Sequence, residues 1–410
     1  MQRLISVVLL VALAFISFTS PSEATVQPKV EGQPKATALP TISAQAAAIF
    51  DLTTGEVLAG INAGQKVFPA STTKVLTALL AIELGELTDM VTISKLAEQQ
   101  EGTALYCRAG EQYSFQDLLY ALLVLSANDV AVALAEHVAG SVESFAQLMN
   151  DKALALGAKN SHFVNPNGLP DPDHYTTAAD MAKIFVAAYQ QPLIREITAT
   201  RVYYIDLPSG ERRALVNGNK MLTEYSGTLG GKTGYTSQAG NCLVTAAQSG
   251  SLKLGVSVFK AQGKAVWDDA RALLDYGFSH WCNLALIHRE QVVTAMSARY
   301  GTDVLLRSGD ELQITRTKGD EELPVTWELS LDKPLQAPLE AGQVVGHVTY
   351  FVAGEEVGAV RACVAHAVPR NWYTYWEVGL AIGCIAISWR LIEGRAKRSA
   401  ARQPAAPKRR

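Results

Sequence analysis

Cysteine is scarce: there are five in 410 residues, an odd set with neither metal-ligand nor redox spacing. That excludes a disulfide-stapled miniprotein and predicts free buried thiols, with room for one exported disulfide. Charge is scarce too, at 18% against about 25% in ordinary domains. Combined with 48% hydrophobic residues, this excludes a disordered chain. The glycines and prolines follow no three-residue period, so the chain is not collagen-like. Long apolar runs occur only at the two ends, which excludes a polytopic membrane protein. There is no internal repeat, and the seven histidines lack metal-ligand spacing. No metal and no organic cofactor are expected.

What is present is a chain long enough for two or three domains. Its net charge of −3 conceals an asymmetry: from Glu393 onward seven Lys/Arg face one Glu, leaving −9 on residues 25–392. An acidic body with a short basic tail lacks the basic face that nucleic acid requires. No nucleic-acid partner is expected.

The ends set the compartment. Residues 1–24 read as a secretory signal, with Arg3, an apolar run from Leu4 to Phe18, and small residues at Ser22 and Ala24. Residues 25–43, rich in Pro, Gln, Lys and Thr, read as a linker. At the other end, residues 372–392 are expected to form a membrane anchor helix. Trp372 and its aromatic neighbours would lie at one interface, and Trp389 with a snorkelling Arg390 at the other. The basic tail 393–410 then places itself in the cytoplasm and the body outside. A helix lying along the surface is the competing reading, since Glu377 and Arg390 bracket only 12 charge-free residues.

Between the ends, residues 44–278 alternate strand-like and helix-like segments, and the arrangement predicts an α+β layer fold. Ser71 to Leu84 has helical apolar spacing and is expected to start a helix at Ser71. Thr177-Ala-Ala-Asp180 resembles a capping box. Residues 282–368 carry short β-type runs separated by Gly, Asp and Pro turns, which predicts a small all-β domain.

Three motifs in the first part carry chemistry. In Ser71-Thr-Thr-Lys74 the i,i+3 spacing puts a hydroxyl and an amine on one helix face. A lysine kept neutral by burial and a neighbouring cation can act as a base. Read blandly, the motif is a helix cap with a surface lysine. In Ser126-Ala127-Asn128, Ser126 can relay a proton and Asn128 can bond a substrate amide; read blandly, either one caps a helix. In Lys232-Thr233-Gly234-Tyr235, a cation and a hydroxyl can hold a carboxylate, and the flanking glycines let a ligand lie against the backbone. A P-loop is excluded because Ser226 stands where its first glycine would be.

In order, the three motifs match the Ser-x-x-Lys, Ser-x-Asn and Lys-Thr-Gly signature of penicillin-binding proteins and β-lactamases. With Phe163-Val-Asn-Pro-Asn-Gly-Leu169 and His174-Tyr-Thr-Thr177, the chain resembles the low-molecular-mass penicillin-binding proteins, the serine D-alanyl-D-alanine carboxypeptidases. The resemblance implies a penicillin-binding/β-lactamase-like transpeptidase domain, then a small all-β domain and a C-terminal membrane helix. It implies Ser71 as nucleophile, Lys74 as base, Ser126 and Asn128 as relay and clamp, and Lys232 and Thr233 as carboxylate site. The backbone N–H groups of Ser71 and Tyr235 would form the oxyanion hole beside Gly234. Peptidoglycan stem peptides would be substrates and β-lactams covalent inhibitors.

One departure stands out. Some relatives carry an arginine between two asparagines upstream of Lys-Thr-Gly, where this chain reads Asn217-Gly218-Asn219-Lys220. Either Lys220 substitutes, or Lys232 and Thr233 suffice. Three rivals remain open at this point. A class A β-lactamase should carry Glu-x-x-Leu-Asn between the second and third motifs, and none of the glutamates there begins it. A D,D-endopeptidase shares all three motifs. A catalytically silent wall-binding or penicillin-sensing protein need not have kept every motif residue.

Overall fold

Strand Ala46–Asp51 is buried at every position, so it must be covered on both faces. Its side chains alternate between two apolar clusters, as the period of two requires. Ala46, Ala48 and Phe50 join one cluster, Ala47 and Ile49 the other. The computed structural model describes residues 38–319, 322–371 and 375–400. The expected signal, most of the linker and the end of the tail lie outside these.

Five antiparallel strands make the central sheet, in the order Val57–Ile61, Ala46–Asp51, Leu252–Ala261, Gly240–Ser249, Thr228–Thr236. Helix Ala265–His280 covers one face through Val266, Leu273 and Leu274. Helix Ala178–Tyr189 covers the other, with Phe185 edge-on to Phe50 at 6.2 Å. Thr177 caps this helix by accepting from Asp180 N–H at 3.0 Å. The reciprocal half of a capping box is absent, because the Asp180 carboxylate accepts from Asn160 N–H and Ser161 instead. Behind lies a helical layer centred on Lys74–Leu84, buried from Lys74 through Ala81. Strand Thr228–Thr236 is the edge of the sheet. Its free main-chain groups can therefore take another strand.

The second part is all-β. A five-stranded antiparallel sheet runs Val292–Ser297, Asp303–Ser308, Glu355–Val364, Val344–Val352, Val325–Leu331, beside the pair Trp281–Ile287 and Leu312–Thr317. The α+β and all-β parts are tied by a buried contact in which Thr315 Oγ1 donates to Asp51 Oδ2. The other Asp51 oxygen accepts from the N–H groups of Thr53 and Thr54 at 2.6 and 2.7 Å.

Two expectations need correction. The α-helix begins at Lys74, not Ser71; Ala70–Thr73 is a 3-10 turn. At the C-terminus a helix runs Trp376–Ala400, but among the described residues no helix is long and apolar enough to cross a membrane. Arg390 and Glu393 interrupt it, and it continues through part of the expected tail. Of the cysteines expected to be buried thiols, Cys107, Cys242 and Cys363 are buried, Cys282 is half-buried and Cys384 is exposed.

Replacing Thr315 with valine removes the donor to a buried carboxylate oxygen. The unfolding free energy should drop by about 1–3 kcal/mol, seen as a lower Tm, whereas Thr315→Ser should retain most of it. An unchanged Tm in the valine variant would show that this contact contributes nothing.

Candidate active site

Side chains three apart eclipse one another in a 3-10 turn, which sets Lys74 directly against Ser71. Lys74 Nζ lies 2.9 Å from Ser71 Oγ, 2.6 Å from Asn128 Oδ1 and 2.7 Å from the Asn167 carbonyl. Lys74 has no solvent exposure. Burial, then the charge of Lys232, hold its amine well below the usual lysine range, and Asp129 only partly opposes them. A neutral amine has two N–H groups and one lone pair. Asn128 Oδ1 and the Asn167 carbonyl can only accept, so they take the two N–H groups. The lone pair is left for the Ser71 hydroxyl.

Both acceptors are themselves held. Asn128 Nδ2 donates to the Glu101 carbonyl at 2.6 Å, which fixes the amide so that its oxygen faces Lys74. Asn167 Nδ2 donates to Gln100 Oε1 at 2.9 Å. Gly168 beside it has φ +84°, and a Cβ there would lie 1.9 Å from the Ala70 carbonyl oxygen. Only glycine lets this loop pass behind the 3-10 turn.

A second cluster adjoins the first. The π-helical turn Ala121–Leu125 ends at Ser126, which has φ +72°. Such turns recur where a helix must break to aim a side chain. Lys232 Nζ donates to Ser126 Oγ and to the Thr233 carbonyl, each at 2.9 Å. Burial pushes the Lys232 amine down to about 7, so it titrates near neutrality. Gly234 brings the edge strand against the turn: a Cβ there would lie 2.9 Å from Ser71 N. The Tyr235 side chain is exposed and Thr233 is half-buried. The strand thus presents a cation, a hydroxyl and free main-chain groups beside Ser71.

Comparison with known proteins fits this geometry. The family described as D-alanyl-D-alanine carboxypeptidase matches residues 33–263. The C-terminal domain of penicillin-binding protein 5 matches residues 283–370. D-alanyl-D-alanine carboxypeptidase DacF of Bacillus subtilis is 31% identical across 87% of this chain and 92% of its own. The chain belongs to the serine D-alanyl-D-alanine carboxypeptidase family. Members of this family are hydrolases, and solved structures of relatives share the fold. Penicillin-binding protein 5 of Haemophilus influenzae superposes with a TM-score of 0.65 at 30% identity, covering 82% of this chain and 100% of that one. Penicillin-binding protein 3 of Streptococcus pneumoniae gives 0.69 at 26% identity, covering 80% and 100%.

In this carboxypeptidase fold, Ser71, Lys74 and Asn128 form one cluster. Ser126 and Lys232 form the next, and Thr233, Gly234 and Tyr235 lie on the adjoining strand. Lys220 does not join them; its side chain is exposed. It is Gly218 that faces the strand, its hypothetical Cβ 3.3 Å from Thr233 Oγ1. The flanking asparagines are tied down: Asn217 Nδ2 donates to the Thr200 carbonyl and Asn219 Nδ2 to Thr245 Oγ1. The frame that carries an arginine in some relatives is therefore present without its side chain.

Three supporting residues escaped the reading of the motifs. Asp129, buried, accepts from the N–H groups of Leu105, Cys107 and Val130 at 2.9–3.1 Å, fixing the loop that carries Glu101. Asn167 supplies a main-chain oxygen, which no side-chain pattern reveals. His174 accepts from Val164 N–H at Nδ1, which leaves Nε2–H to donate to Thr73 Oγ1 at 2.9 Å. Burial holds its imidazole down at about 4, so it is neutral at physiological pH and works as a brace.

Asp129 is the one charge that raises the Lys74 amine. Asp129→Asn should therefore lower it further, and the acid limb of the acylation profile with a labelled penicillin should move to lower pH. The swap also puts an amide donor against backbone N–H groups, at a cost of about 1–3 kcal/mol in stability. A limb that stays in place would show that the Asp129 charge does not reach Lys74.

Proposed function

We propose that the protein removes the terminal D-Ala from peptidoglycan pentapeptide stems through an acyl-enzyme on Ser71. The observation that carries this is the contact between the Ser71 hydroxyl and a buried lysine whose other two partners can only accept. The penultimate D-Ala carbonyl lies against the edge strand, with the terminal carboxylate at Lys232 and Thr233. Ser71 Oγ attacks the carbonyl carbon while its proton passes to Lys74. The N–H groups of Ser71 and Tyr235 hold the developing oxyanion, an electrostatic contribution that often dominates acyl transfer. Collapse breaks the C–N bond, and the proton held by Lys74 passes by way of Ser126 to the leaving amine. Water then attacks the ester carbonyl, its proton passing to Lys74, which hands it to Ser71 Oγ as the C–O bond breaks. Asn128 holds the donor-arm amide. A β-lactam follows the first half of this path and stays on Ser71. The D,D-endopeptidase reading shares this machinery and differs only in the amine released.

The body acts outside the cell and attaches by helix Trp376–Ala400. Leu380, Ile382, Ile385, Ile387, Trp389, Leu391 and Ile392 are all exposed on it, and the cationic tail adds attraction to anionic lipid. On this reading the helix lies along the surface, its charged Arg390 and Glu393 in water and its exposed apolar side chains against lipid.

Three outcomes test this function. Ser71→Ala, correctly folded, should lose all covalent labelling by penicillin, and Lys74→Arg should fold yet acylate at least about 100-fold more slowly; a labelled Ser71→Ala protein would refute the assignment. For the free enzyme, KM for a pentapeptide should rise as pH passes about 7, because Lys232 then loses the charge that meets the carboxylate. A KM flat from pH 6 to 9 would remove Lys232 from that role. Finally, Gly218→Arg should restore a charge-assisted carboxylate contact beside Thr233 and lower KM about tenfold, the equivalent of about 1.4 kcal/mol; an unchanged or higher KM would count against this geometry.

A further inference from the structure

A cavity of about 350 Å³ opens beside the active site, and the chemistry above makes no use of it. Gln45, Lys66, Tyr175, Gln238 and Lys260 line it, together with Phe68. Phe68 lies three residues before Ser71, and Gln238 lies in the turn that follows the edge strand. That turn is tied back to the strand end, with Ala239 N–H donating to Thr236 Oγ1 at 2.9 Å. The Cys242 thiol faces the carbonyls of both Phe68 and Ala239 at 3.7 Å. The cavity is thus continuous with the end of the strand on which the peptide is read.

Its polarity is one-sided. Two lysines line it and no acidic residue does. Neither Lys66 nor Lys260 has an ion-pair partner among the described residues. Lys66 Nζ stands 3.9 Å over the Tyr175 ring, and the reciprocal main-chain bonds of Val67 and Thr176 at 2.8 and 2.9 Å keep the two neighbours in place. Lys260 is set by a bulge. Asn241 pairs with Ala261 but Leu243 pairs with Val258, which inserts one extra residue into strand Leu252–Ala261. Lys260, within the bulge, has φ +57°. Bulges of this kind re-aim a side chain beside a site, and the backbone strain needs a compensating reason.

Direction decides what reaches the cavity. A peptide added antiparallel to Thr228–Thr236, with its terminal carboxylate at Lys232 and Thr233, runs its donor arm toward Thr236 and then toward the turn at Gln238. At about 3.3 Å per residue, the cavity meets the first or second residue before the penultimate D-Ala. We infer that the cavity is a subsite for a carboxylate on the donor arm of the peptide, held by Lys66 and Lys260. This rests on the carboxypeptidase reading above. The carboxylate comes either from the side chain of the first donor-arm residue or from the residue before it.

Three blocked peptides ending in D-Ala-D-Ala distinguish the sources: one with a neutral donor arm, one with a carboxylate at the first position, and one with it at the second. The full-length protein should favour one carboxylate peptide over the neutral one by about fivefold in kcat/KM, the factor expected of exposed charge pairs. The preference should weaken with added salt. In a Lys66→Gln/Lys260→Gln variant it should vanish, with the neutral peptide cleaved as before and Tm unchanged. Cleavage of all three peptides without preference, or a preference that survives in the variant, would overturn the subsite and leave the function standing. If no peptide is cleaved, the function itself fails. The subsite is then read from acylation by two penicillins, one with a carboxylate on its acylamino side chain and one without: equal rates overturn it, and an excess lost in the variant supports it.

Discussion

Two buried lysines share one small volume, and no carboxylate among the described residues bonds either of them. Everything else in the active site follows from that crowding. Ionising an amine away from water costs several kcal/mol, and a second cation nearby adds repulsion. The cost is removed by unequal protonation. Lys74, the more deeply enclosed, is pushed far down and feels Lys232 as well. Lys232 stops at about 7. The hydrogen bonds around Lys74 match this division: two acceptors take its N–H groups, and the third partner is a hydroxyl that can donate.

Such a lysine is useful only if its surroundings cannot relax to solvate it. The helix Lys74–Leu84 packs among apolar helices and is buried from Lys74 through Ala81. Asn128 cannot turn its amide because Glu101 holds the other end. The Asn167 carbonyl cannot withdraw because Gly168 lets its loop pack against Ala70 and Gln100 fixes its side chain. His174 braces the same loop to Thr73 without carrying charge, and a cation there would only have added to the crowding. Backbone strain gathers in the same place. Ala70 and Ser126 both hold positive φ, and each costs about 1–3 kcal/mol that the packed surroundings must offset.

What the sequence made legible was chemistry carried by side chains close together in the chain. Ser71 and Lys74 are three apart, and their meeting needs only a helical turn, whether α or 3-10. The Lys-Thr-Gly run needs only an edge strand. The meeting of Lys232 with Ser126, 106 residues away, has no local pattern; the resemblance placed both residues in one site without pairing them. Partners that act through the main chain were hidden: the Asn167 carbonyl and the N–H groups that Asp129 collects have no side-chain signature. The C-terminal helix was legible only in part. Its aromatics and its length resemble a span, but Arg390 and Glu393 fall inside the helix, and among the described residues no helix is long and apolar enough to cross a membrane.

The position of Lys232 at about 7 bears on the base as well as on binding. A substrate carboxylate entering beside a neutral Lys232 would add a bare negative charge near Lys74 and pull that amine toward its protonated, inactive form. Because Lys232 titrates so close to neutrality, in the proposed function the same carboxylate would draw a proton onto Lys232 instead. The arriving charge would then be cancelled where it binds, and the potential at Lys74 would change little. An arginine in the Asn217–Asn219 frame would meet the carboxylate with a permanent charge, and its cation would press on the buried amines even in the empty site. With Gly218 there, the empty site carries less positive charge, and in the proposed function the substrate's own carboxylate would bring the charge state that catalysis requires.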